Sequence, residues 1–508
     1  MPDGPPVEMI SPQIQPPSRS VCARMIFTVS ILGLPHLSMN TAEAADHHQQ
    51  QSDITKPHVL FIAIDDLNDW IGCLKTHAQV STPNIDRLAN RGRLFTNAHV
   101  QATFCGPSRL SLLSGRFPFR TGAYGFEPTY DKQPHLQGLP SLPAWLQRHG
   151  YRTVGGGKIY HQGIQQGTVG GFDIDLGHGS AAPKPKQPLN WHVPIWDFGP
   201  FPERDEQVEN YQMALAAAQE LQAEQTSPLF LAVGFRRPHV PLYAPPRWFE
   251  KYPLETLQMP NAPLSDLDDV PTFAKNVALT DQQIAPTHAE VLQKQKWAGF
   301  VQAYLACISF TDHCVGILLD SLEKSPLRDN TIVVVWSDHG WHLGEKQHWA
   351  KRTLWEETTR VPLIIAGPGI APGACGRPVM LLDLFPTLCE ICDVPPREKL
   401  DGTSLMPLLK DSNAQWNSPA LTSLDPGSHS VRTEHWRYIR YADGSEELYD
   451  HRRDPDEWRN LANDPAFSER CRELAAALPR DEIPAVTGIA AGAERSSRAR
   501  QRPRDRTE

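Results

Sequence analysis

The 508-residue sequence lacks several features that would assign it to common functional classes. It has no excess of basic residues: the formal net charge is -9, with both signs mixed along the chain, which argues against a nucleic-acid-binding surface. Its nine cysteines form no dense framework, and Cys389 and Cys392 lie on an apolar segment where core packing is expected. No Asn-x-Ser/Thr glycosylation site is present, which favours bacterial export over a eukaryotic secretory route.

The N-terminal region has the pattern of an export signal. The apolar run Met25 to Leu37 follows basic residues and precedes the small-residue segment Ala42-Glu43-Ala44, and it is too short to span a bilayer. Residues 1–45 are therefore predicted to be a leader with a signal peptide, with Met9 or Met25 as an alternative start. Beyond it we find no apolar stretch of spanning length, and we expect a secreted or periplasmic protein without a membrane span.

Short apolar runs that end in polar residues recur along the chain. Runs that are apolar on both faces are typical of buried parallel strands, and helical patterns alternate with them, which predicts an α/β fold. The runs are His58–Ile64 before Asp65-Asp66, Pro228–Phe235 before Arg236-Arg237, and Thr331–Trp336 before Ser337-Asp338-His339. Since ligands bind beyond the carboxyl ends of such strands, we expect these polar clusters to meet at one edge.

Other segments complete the predicted organisation. We expect Tyr151–Val154, which leads into Gly155-Gly156-Gly157, and the strand near Val361–Gly369 to end at the same edge, with the glycines allowing close backbone approach or flexibility. The predicted helices are Ile85–Arg91, Leu142–Arg148, Val208–Gln225 and Trp297–Glu323. A catalytic domain is predicted over residues 55–412, a C-terminal subdomain over 413–485 with strands in 431–449 and a helix over 467–478, and a disordered tail over 486–508.

A cysteine and an arginine four residues apart open one predicted helix. Pro107 suits the first turn of a helix, and leucines supply the apolar face that follows. Cys105 would then lie just before free backbone N–H groups, where an anion binds readily. The alternative is a buried cysteine ahead of an ordinary helix.

Three carboxylates are expected at the predicted sheet edge. Asp65, Asp66 and Asp338 come from two strand ends, and His339 adjoins the third of them. Carboxylates that cluster repel one another unless a cation lies between them, and oxygen ligands suit Ca²⁺ or Mg²⁺. Alternatively, the Asp65-Asp66 doublet caps the next helix.

The Cys-x-Pro-Ser-Arg segment at 105–109, together with these clusters, resembles the sulfatases from His58 to about Asn463. The resemblance implies an alkaline-phosphatase-like α/β fold, with a large, mostly parallel sheet flanked by helices and a smaller C-terminal antiparallel α+β subdomain. It implies that a maturation enzyme oxidises Cys105 to formylglycine, whose hydrate is the nucleophile, and that Arg109 holds this side chain and offsets its charge. The cation, most often calcium with magnesium as the alternative, would be held by Asp65, Asp66, the modified Cys105, Asp338 and His339.

Further residues resemble the sulfate-binding groups of that family. Lys158 and His161 resemble the pair that contacts sulfate and the nucleophile, although a solvated lysine and a loop histidine are the alternative. His239 resembles the histidine that contacts the ester oxygen and protonates the leaving alcohol, a task that suits a group titrating near neutral pH. Lys351 resembles the second sulfate-binding lysine.

The motifs around these residues resemble the iduronate-2-sulfatase branch more than the arylsulfatases. Arg237 and Trp341 are the predicted substrate contacts, because an arginine binds a uronate carboxylate through two parallel hydrogen bonds. The expected substrate is a sulfated carbohydrate, with a 2-O-sulfated uronate as first choice. The alternatives are a phosphonate monoester or phosphodiester hydrolase, a choline-sulfatase-like enzyme, and a non-catalytic sulfated-glycan binding protein. Trp191, Trp196, Trp248 and Trp355 are left open between sugar stacking and core packing.

Overall fold

The computed structural model describes residues 55–125, 129–161, 170–178, 183–279 and 285–486. The predicted leader, residues 1–45, lies outside the described residues, as does the predicted tail apart from its first residue, Val486. The export signal therefore stays a prediction.

Eighteen strands are described. They are β1 (His58–Ile64), β2 (Arg93–Phe95), β3 (Ala98–His99), β4 (Arg152–Gly157), β5 (Ile174–Asp175), β6 (Phe198–Pro200), β7 (Leu229–Phe235), β8 (Leu242–Ala244), β9 (Thr331–Ser337), β10 (His342–Leu343), β11 (Trp349–Ala350), β12 (Leu363–Ala366), β13 (Gly373–Cys375), β14 (Val379–Met380), β15 (Ala420–Asp425), β16 (Ser428–Arg432), β17 (Trp436–Arg440) and β18 (Glu446–Asp450).

The α-helices lie mostly between these strands in the chain. They are α1 (Pro83–Asn90), α2 (Cys105–Ser114), α3 (Pro118–Thr121), α4 (Leu142–Arg148), α5 (Glu209–Gln222), α6 (Pro246–Phe249), α7 (Thr272–Leu279), α8 (His288–Gln293), α9 (Trp297–Glu323), α10 (Glu356–Thr359), α11 (Leu384–Ile391), α12 (Met406–Lys410) and α13 (Ser468–Ala475). The four helices predicted from periodicity are confirmed, with ends shifted by a few residues at most.

The large sheet has eight strands in the order β13-β2-β12-β9-β1-β7-β4-β5. Strand β1 lies at its centre and pairs in parallel with β7 on one side and β9 on the other. Alternate side chains of β1 point to opposite faces of the sheet: Leu60 and Ile62 join one hydrophobic core, and Val59 and Phe61 join the other. Helices α1, α5 and α9 contribute to the first core, and α2, α4 and α11 to the second.

Strand β12 corrects one expectation. It pairs antiparallel to both β9 and β2, so the glycines that follow it, at 367 and 369, lie at the edge opposite to the carboxyl ends of β1 and β9. The prediction that this glycine-rich strand end joins the polar clusters is therefore wrong. A run that is apolar on both faces indicates burial but carries no information about strand direction.

The C-terminal region forms a separate four-stranded antiparallel sheet in the order β15-β16-β17-β18. The strands predicted within 431–449 are present as β16 to β18, and α13 packs over β17. Strand β15 was not predicted. It pairs with β16, and the N–H of its Ser423 donates to the carbonyl oxygen of Gln101, which joins this sheet to the segment just before Cys105.

Helix α9 is long and apolar enough to cross a membrane by length and composition alone. The expectation that no stretch past the leader has these properties is therefore wrong. However, 78% of the apolar window of α9 is buried inside the protein, where α9 packs on α5 and on the two-stranded β6–β8 sheet and shares a hydrophobic core with β1 and β7, as a core helix does.

Candidate active site

The ends of β1 and β9 bring acidic side chains together at one edge of the large sheet. Ile64 and Ser337 are paired in register, so the residues that follow them lie side by side. The backbone N–H of Asp66 donates to Asp338 Oδ1 at 3.1 Å, and the side chains of Asp65, Asp66 and Asp338 are fully buried. The structure thus brings the three predicted carboxylates into one cluster.

Asp66 is placed as a cation ligand would be. Its backbone lies in the left-handed region, with φ of 61°, a conformation that is costly for a residue other than glycine and is common at functional sites. Its Oδ1 accepts a hydrogen bond from Lys351 Nζ at 2.7 Å, whereas its buried Oδ2 has no hydrogen-bond partner among the described residues. Burial raises the pKa of Asp66 to about 7.

His339 supplies a nitrogen to the same cluster. Its Nδ1 lies 2.9 Å from the carbonyl oxygen of Gly340, so Nδ1 carries the proton and donates it. Its Nε2 faces Asp66 Oδ1 at 3.2 Å and Cys105 Sγ at 3.1 Å. Burial opposes a charge on this ring, but Asp338 raises the pKa of His339 to about 9, so the cluster attracts positive charge strongly.

Cys105 is the first residue of α2 and faces the carboxylate cluster. Its Sγ lies 3.0 Å from Lys351 Nζ and 3.7 Å from Asp66 Oδ1, and the side chain is buried. Burial alone would raise the pKa of the thiol, but the positive charges of Lys158 and Lys351 outweigh it and hold the pKa well below its ordinary value. A negatively charged group is therefore stabilised at this position.

Arg109, one turn further along α2, bonds to two of the three carboxylates of the cluster. Its Nε donates to Asp338 Oδ2 at 2.8 Å and its Nη2 to Asp65 Oδ1 at 3.1 Å, and Nη1 donates to the carbonyl oxygens of Lys158 and Ile159. The side chain is fully buried and does not line the cavity described below. Arg109 thus offsets the charge of the carboxylates beneath the cavity.

Lys158 reaches the cluster because two glycines let β4 and β7 approach closely. Gly157 has φ of 71°, and a Cβ there would lie 2.0 Å from the carbonyl oxygen of Gly234. A Cβ on Gly234 would in turn lie 2.2 Å from the carbonyl oxygen of Lys158. The structure therefore assigns the predicted glycine segment to close approach, and it directs Lys158 Nζ to Asp65 Oδ2 at 2.6 Å.

Lys351 follows the β10–β11 hairpin in a segment with unusual backbone geometry. Its neighbours Ala350 and Arg352 have φ of 76° and 71°, and the side chain of His348 contacts the carbonyl oxygen of Lys351 at 2.9 Å. These constraints direct Lys351 Nζ between Asp66 and Cys105. Non-glycine residues in left-handed conformations persist only where the surrounding structure fixes them.

A cavity of about 340 Å³ opens above this cluster. Cys105, Lys158, His161, His239 and Lys351 all line it. Nε2 of His239 lies 3.9 Å from Asp66 Oδ2, and its Nδ1 donates to the carbonyl oxygen of Val240 at 2.6 Å. Burial and the charge of Lys158 lower the pKa of His239 to about 3, so a bound anion would have to supply the negative charge that favours its protonation.

Comparison of the sequence with known protein families identifies the family that this site belongs to. The sulfatase family model matches residues 57–394, and the model for the C-terminal region of N-sulphoglucosamine sulphohydrolase matches residues 344–482. The chain belongs to the sulfatase family. This sulfatase is accordingly a sulfuric ester hydrolase.

Curated relatives agree with this assignment. A sulfatase from Formosa agariphila is 37% identical over 469 residues, which cover 89% of this chain and 91% of the relative. A choline-sulfatase from Rhizobium meliloti is 29% identical, with 81% and 83% covered, and human iduronate 2-sulfatase is 29% identical, with 71% and 69% covered. The two family models together match residues 57–482, which include the eight-stranded and the four-stranded sheets.

The fold is also that of a solved phosphonate monoester hydrolase from Silicibacter pomeroyi. The TM-score is 0.69 at 21% identity, with 83% of this chain and 94% of the other covered. At this identity the comparison shows a shared fold alone. The predicted large sheet with a C-terminal antiparallel sheet is confirmed.

The structure separates the two predicted substrate contacts. Trp341 lines the cavity, and its ring lies 5.7 Å from that of Trp196, which also lines it. Arg237 does not line the cavity: it is 4% exposed, and its guanidinium donates to the carbonyl oxygens of Tyr243 and His239. The prediction that Arg237 contacts the substrate is therefore not supported.

Other cavity residues were missed or left open by the sequence analysis. Arg236, Arg352 and Trp349 line the cavity without having been predicted there. Trp196 belongs to the cavity wall, whereas Trp191, Trp248 and Trp355 are buried and do not line it. Adjacent residues carry no periodicity that tells which of them faces a cavity, so only the structure distinguishes Arg236 from Arg237.

The donor atoms at the base of the cavity fit a divalent cation. Asp66, Cys105 and His339 offer ligand atoms within 4.8 Å of one another, as do two overlapping groups that include Asp65 and Asp338. The set is dominated by carboxylate oxygens and includes the unpartnered Asp66 Oδ2. Oxygen ligands of this kind suit a hard cation such as Ca²⁺. A cation bound among them would also compensate the negative charge of the carboxylates.

Proposed function

We propose that this sulfatase hydrolyses a sulfate ester of a sugar, with a 2-O-sulfated uronate as its first-choice substrate. The observation that carries the proposal is the position of Cys105 between Lys158, Lys351 and the carboxylate cluster at the base of the cavity. The similarity to human iduronate 2-sulfatase supports the choice of a uronate. A cavity of about 340 Å³ is near the small end of ligand pockets, roughly 300 to 1,000 Å³, and favours exo action on one sugar ring.

The chain's own residues would bind the sulfate group by charge. Lys158 Nζ and Lys351 Nζ flank Cys105, so the sulfate oxygens would meet two ammonium groups at the base of the cavity. Arg109 would hold Asp65 and Asp338 in place from beneath. Formylglycine derived from Cys105 would supply the attacking hydroxyl oxygen, and Ca²⁺ held by Asp65, Asp66, Asp338 and His339 would polarise the sulfate.

We assign protonation of the leaving alcohol to His239. Its Nδ1 is fixed by the carbonyl oxygen of Val240, so its Nε2 points into the cavity toward the cluster. A proton on Nε2 could pass to the ester oxygen as the bond to sulfur breaks. His161 lines the same cavity, and we expect it to contact the sulfate.

Maturation and export belong to the same proposal. Conversion of Cys105 needs a formylglycine-generating enzyme as a partner, and the predicted leader directs the protein to the periplasm or outside the cell. The absence of a glycosylation site in the sequence supports a bacterial setting.

Kinetics on four substrates test the proposal. They are a 2-O-sulfated uronate disaccharide, its 6-O-sulfated hexosamine counterpart, choline sulfate and an aryl phosphonate. We expect the highest kcat/KM for the uronate, and little turnover of choline sulfate because the cavity is lined by the cations Lys158, Arg236, Lys351 and Arg352. A preference for the aryl phosphonate or for choline sulfate would overturn the proposal, and a preference for the hexosamine would overturn the uronate choice alone.

A further inference from the structure

Two adjacent arginines at the end of β7 have opposite environments. Arg237 is buried, lies 3.4 Å from Glu209 and donates to two backbone carbonyls. Arg236 is exposed, lines the cavity, and its guanidinium makes no hydrogen bond or ion pair with any residue in the described part of the chain. An arginine that its own protein leaves unpaired beside an anion-binding cavity is available to a ligand.

The other cations of the cavity already have acidic partners. Lys158 pairs with Asp65, Lys351 with Asp66, and Arg352 with Asp425 at 3.4 Å. The first two converge on Cys105 at the base, where the sulfate ester would react. Arg236 therefore differs from them both in its lack of a partner and in its place at the exposed rim.

The backbone beneath Arg236 is held firmly. Asn210 Oδ1 accepts the N–H groups of Arg236 and Arg237 at 3.0 and 3.3 Å, and the N–H of His239 donates to the carbonyl oxygen of Arg236 at 2.8 Å. Thr311 Oγ1 donates to the carbonyl oxygen of Arg237. One turn thus fixes the backbone of Arg236 relative to His239, the histidine proposed to protonate the leaving alcohol, so the side chain of Arg236 starts from a defined point at the cavity rim.

The wall formed by Ile195, Trp196 and Trp341 is apolar. A sugar ring lying against these side chains would have its C–H groups facing the tryptophans, and a charged substituent would gain nothing from that side. A carboxylate on the ring would instead gain two charge-assisted hydrogen bonds from a guanidinium at the rim.

We infer that Arg236 is a specificity-determining residue that binds a carboxylate of the sugar through its guanidinium, while Arg237 positions the turn that carries it. The inference rests on the proposed function, since it concerns the substrate of the same cavity. The sequence predicted that Arg237 binds the uronate carboxylate, and the structure favours its neighbour Arg236 for this role, because the guanidinium of Arg236 has no partner among the described residues.

Equilibrium binding tests this without turnover. In a Cys105→Ala background and calcium-containing buffer, calorimetry would compare a 2-O-sulfated hexuronate disaccharide with its methyl ester. With Arg236 present, esterification should weaken binding about 10- to 100-fold, the range expected for a lost charge-assisted pair. In Arg236→Gln the acid and its methyl ester should bind about equally. Arg236→Lys should show an intermediate difference in affinity between them, because lysine keeps the positive charge but cannot form two parallel hydrogen bonds.

Arg328→Gln is the matched control, since this exposed arginine lies just before β9, at the opposite edge of the sheet from the cavity. Arg328→Gln should show the same difference in affinity between the acid and its methyl ester as the parent protein. Equal discrimination by the parent and Arg236→Gln, or no discrimination by the parent, would overturn the inference. Failure of the proposed function would be seen separately, as no sulfate release from either disaccharide by matured protein with Cys105 intact.

Discussion

At the scale of single residues, the site depends on side chains whose charges are balanced only in combination. Asp65 and Asp338 are neutralised by Arg109 and Lys158, but one oxygen of Asp66 has no hydrogen-bond partner among the residues that the structure describes. Burying such an oxygen is costly unless a cation compensates it. This single atom is therefore the clearest structural sign of a cation site.

Asp66→Asn should abolish stabilisation by calcium. The amide keeps the size of the side chain but loses the charge that the cation requires. For the parent protein we expect a gain of about 2.7 kcal/mol in the free energy of unfolding at a calcium concentration of 100 times its Kd, and almost none for the variant. Thermal unfolding with and without calcium measures both.

Asp329→Asn is the control, because this carboxylate is exposed and distant from the cavity. It should keep the full effect of calcium. An unchanged calcium response in Asp66→Asn would exclude Asp66 as a ligand.

Some site residues could be predicted from the sequence and others could not. Asp65, Asp66, Cys105 and Asp338 could be predicted to meet because strand ends and a helix start have recognisable patterns. The choice between Arg236 and Arg237 could not be made, because it depends on Glu209 and the carbonyl oxygen of Tyr243, which are brought there by other elements.

At the scale of elements, the approach of β4 to β7 places Lys158. The apolar composition of these strands was enough to predict that they lie in a buried sheet. The direction of β12 could not be predicted from its sequence, because it depends on the path of the connection that leads into the strand. The triple glycine indicated a close approach but not its partner, which is the backbone around Gly234.

Gly234→Ala should disturb both stability and catalysis. The added methyl group would lie 2.2 to 2.5 Å from backbone atoms of Lys158, so one strand must move. We expect a loss of about 1–3 kcal/mol in the free energy of unfolding, as for overpacked sites, and a fall in kcat as Lys158 is displaced. Denaturant unfolding and sulfate release would measure the two effects.

Gly376→Ala provides the comparison, since a Cβ there meets nothing closer than Thr96 Oγ1 at 3.8 Å. Its stability should change little. If Gly234→Ala were as harmless as Gly376→Ala, the close approach would not be what positions Lys158.

At the scale of the whole molecule, buried ion pairs attach the C-terminal sheet to the preceding part of the chain at α10, the helix just before β12. Arg437 of β17 is fully buried, pairs with Glu356 and Glu457, and donates to Thr359 Oγ1 at 2.8 Å. Glu356 lies only five residues beyond Lys351. The sequence predicted the two parts but not this attachment, because it joins residues that are about eighty positions apart.

Arg437→Met should destabilise the molecule by about 3–5 kcal/mol, because it leaves buried carboxylates without their counter-charge. Arg377 and Glu434 join the same two parts through an exposed pair at 2.7 Å. Arg377→Gln should therefore cost less than about 1 kcal/mol. Denaturant unfolding of both variants measures the difference, and similar losses would contradict the role given to the buried pairs.

The central claim is that Cys105, once converted to formylglycine, is the nucleophile of this sulfatase. The most direct measurement is peptide mass spectrometry at Cys105 on preparations that differ in maturation, with sulfate release measured on the same samples. We predict that sulfate release rises in proportion to the fraction of peptide carrying the aldehyde and disappears in Cys105→Ala. An active preparation whose peptide carries only the unmodified thiol would contradict the claim.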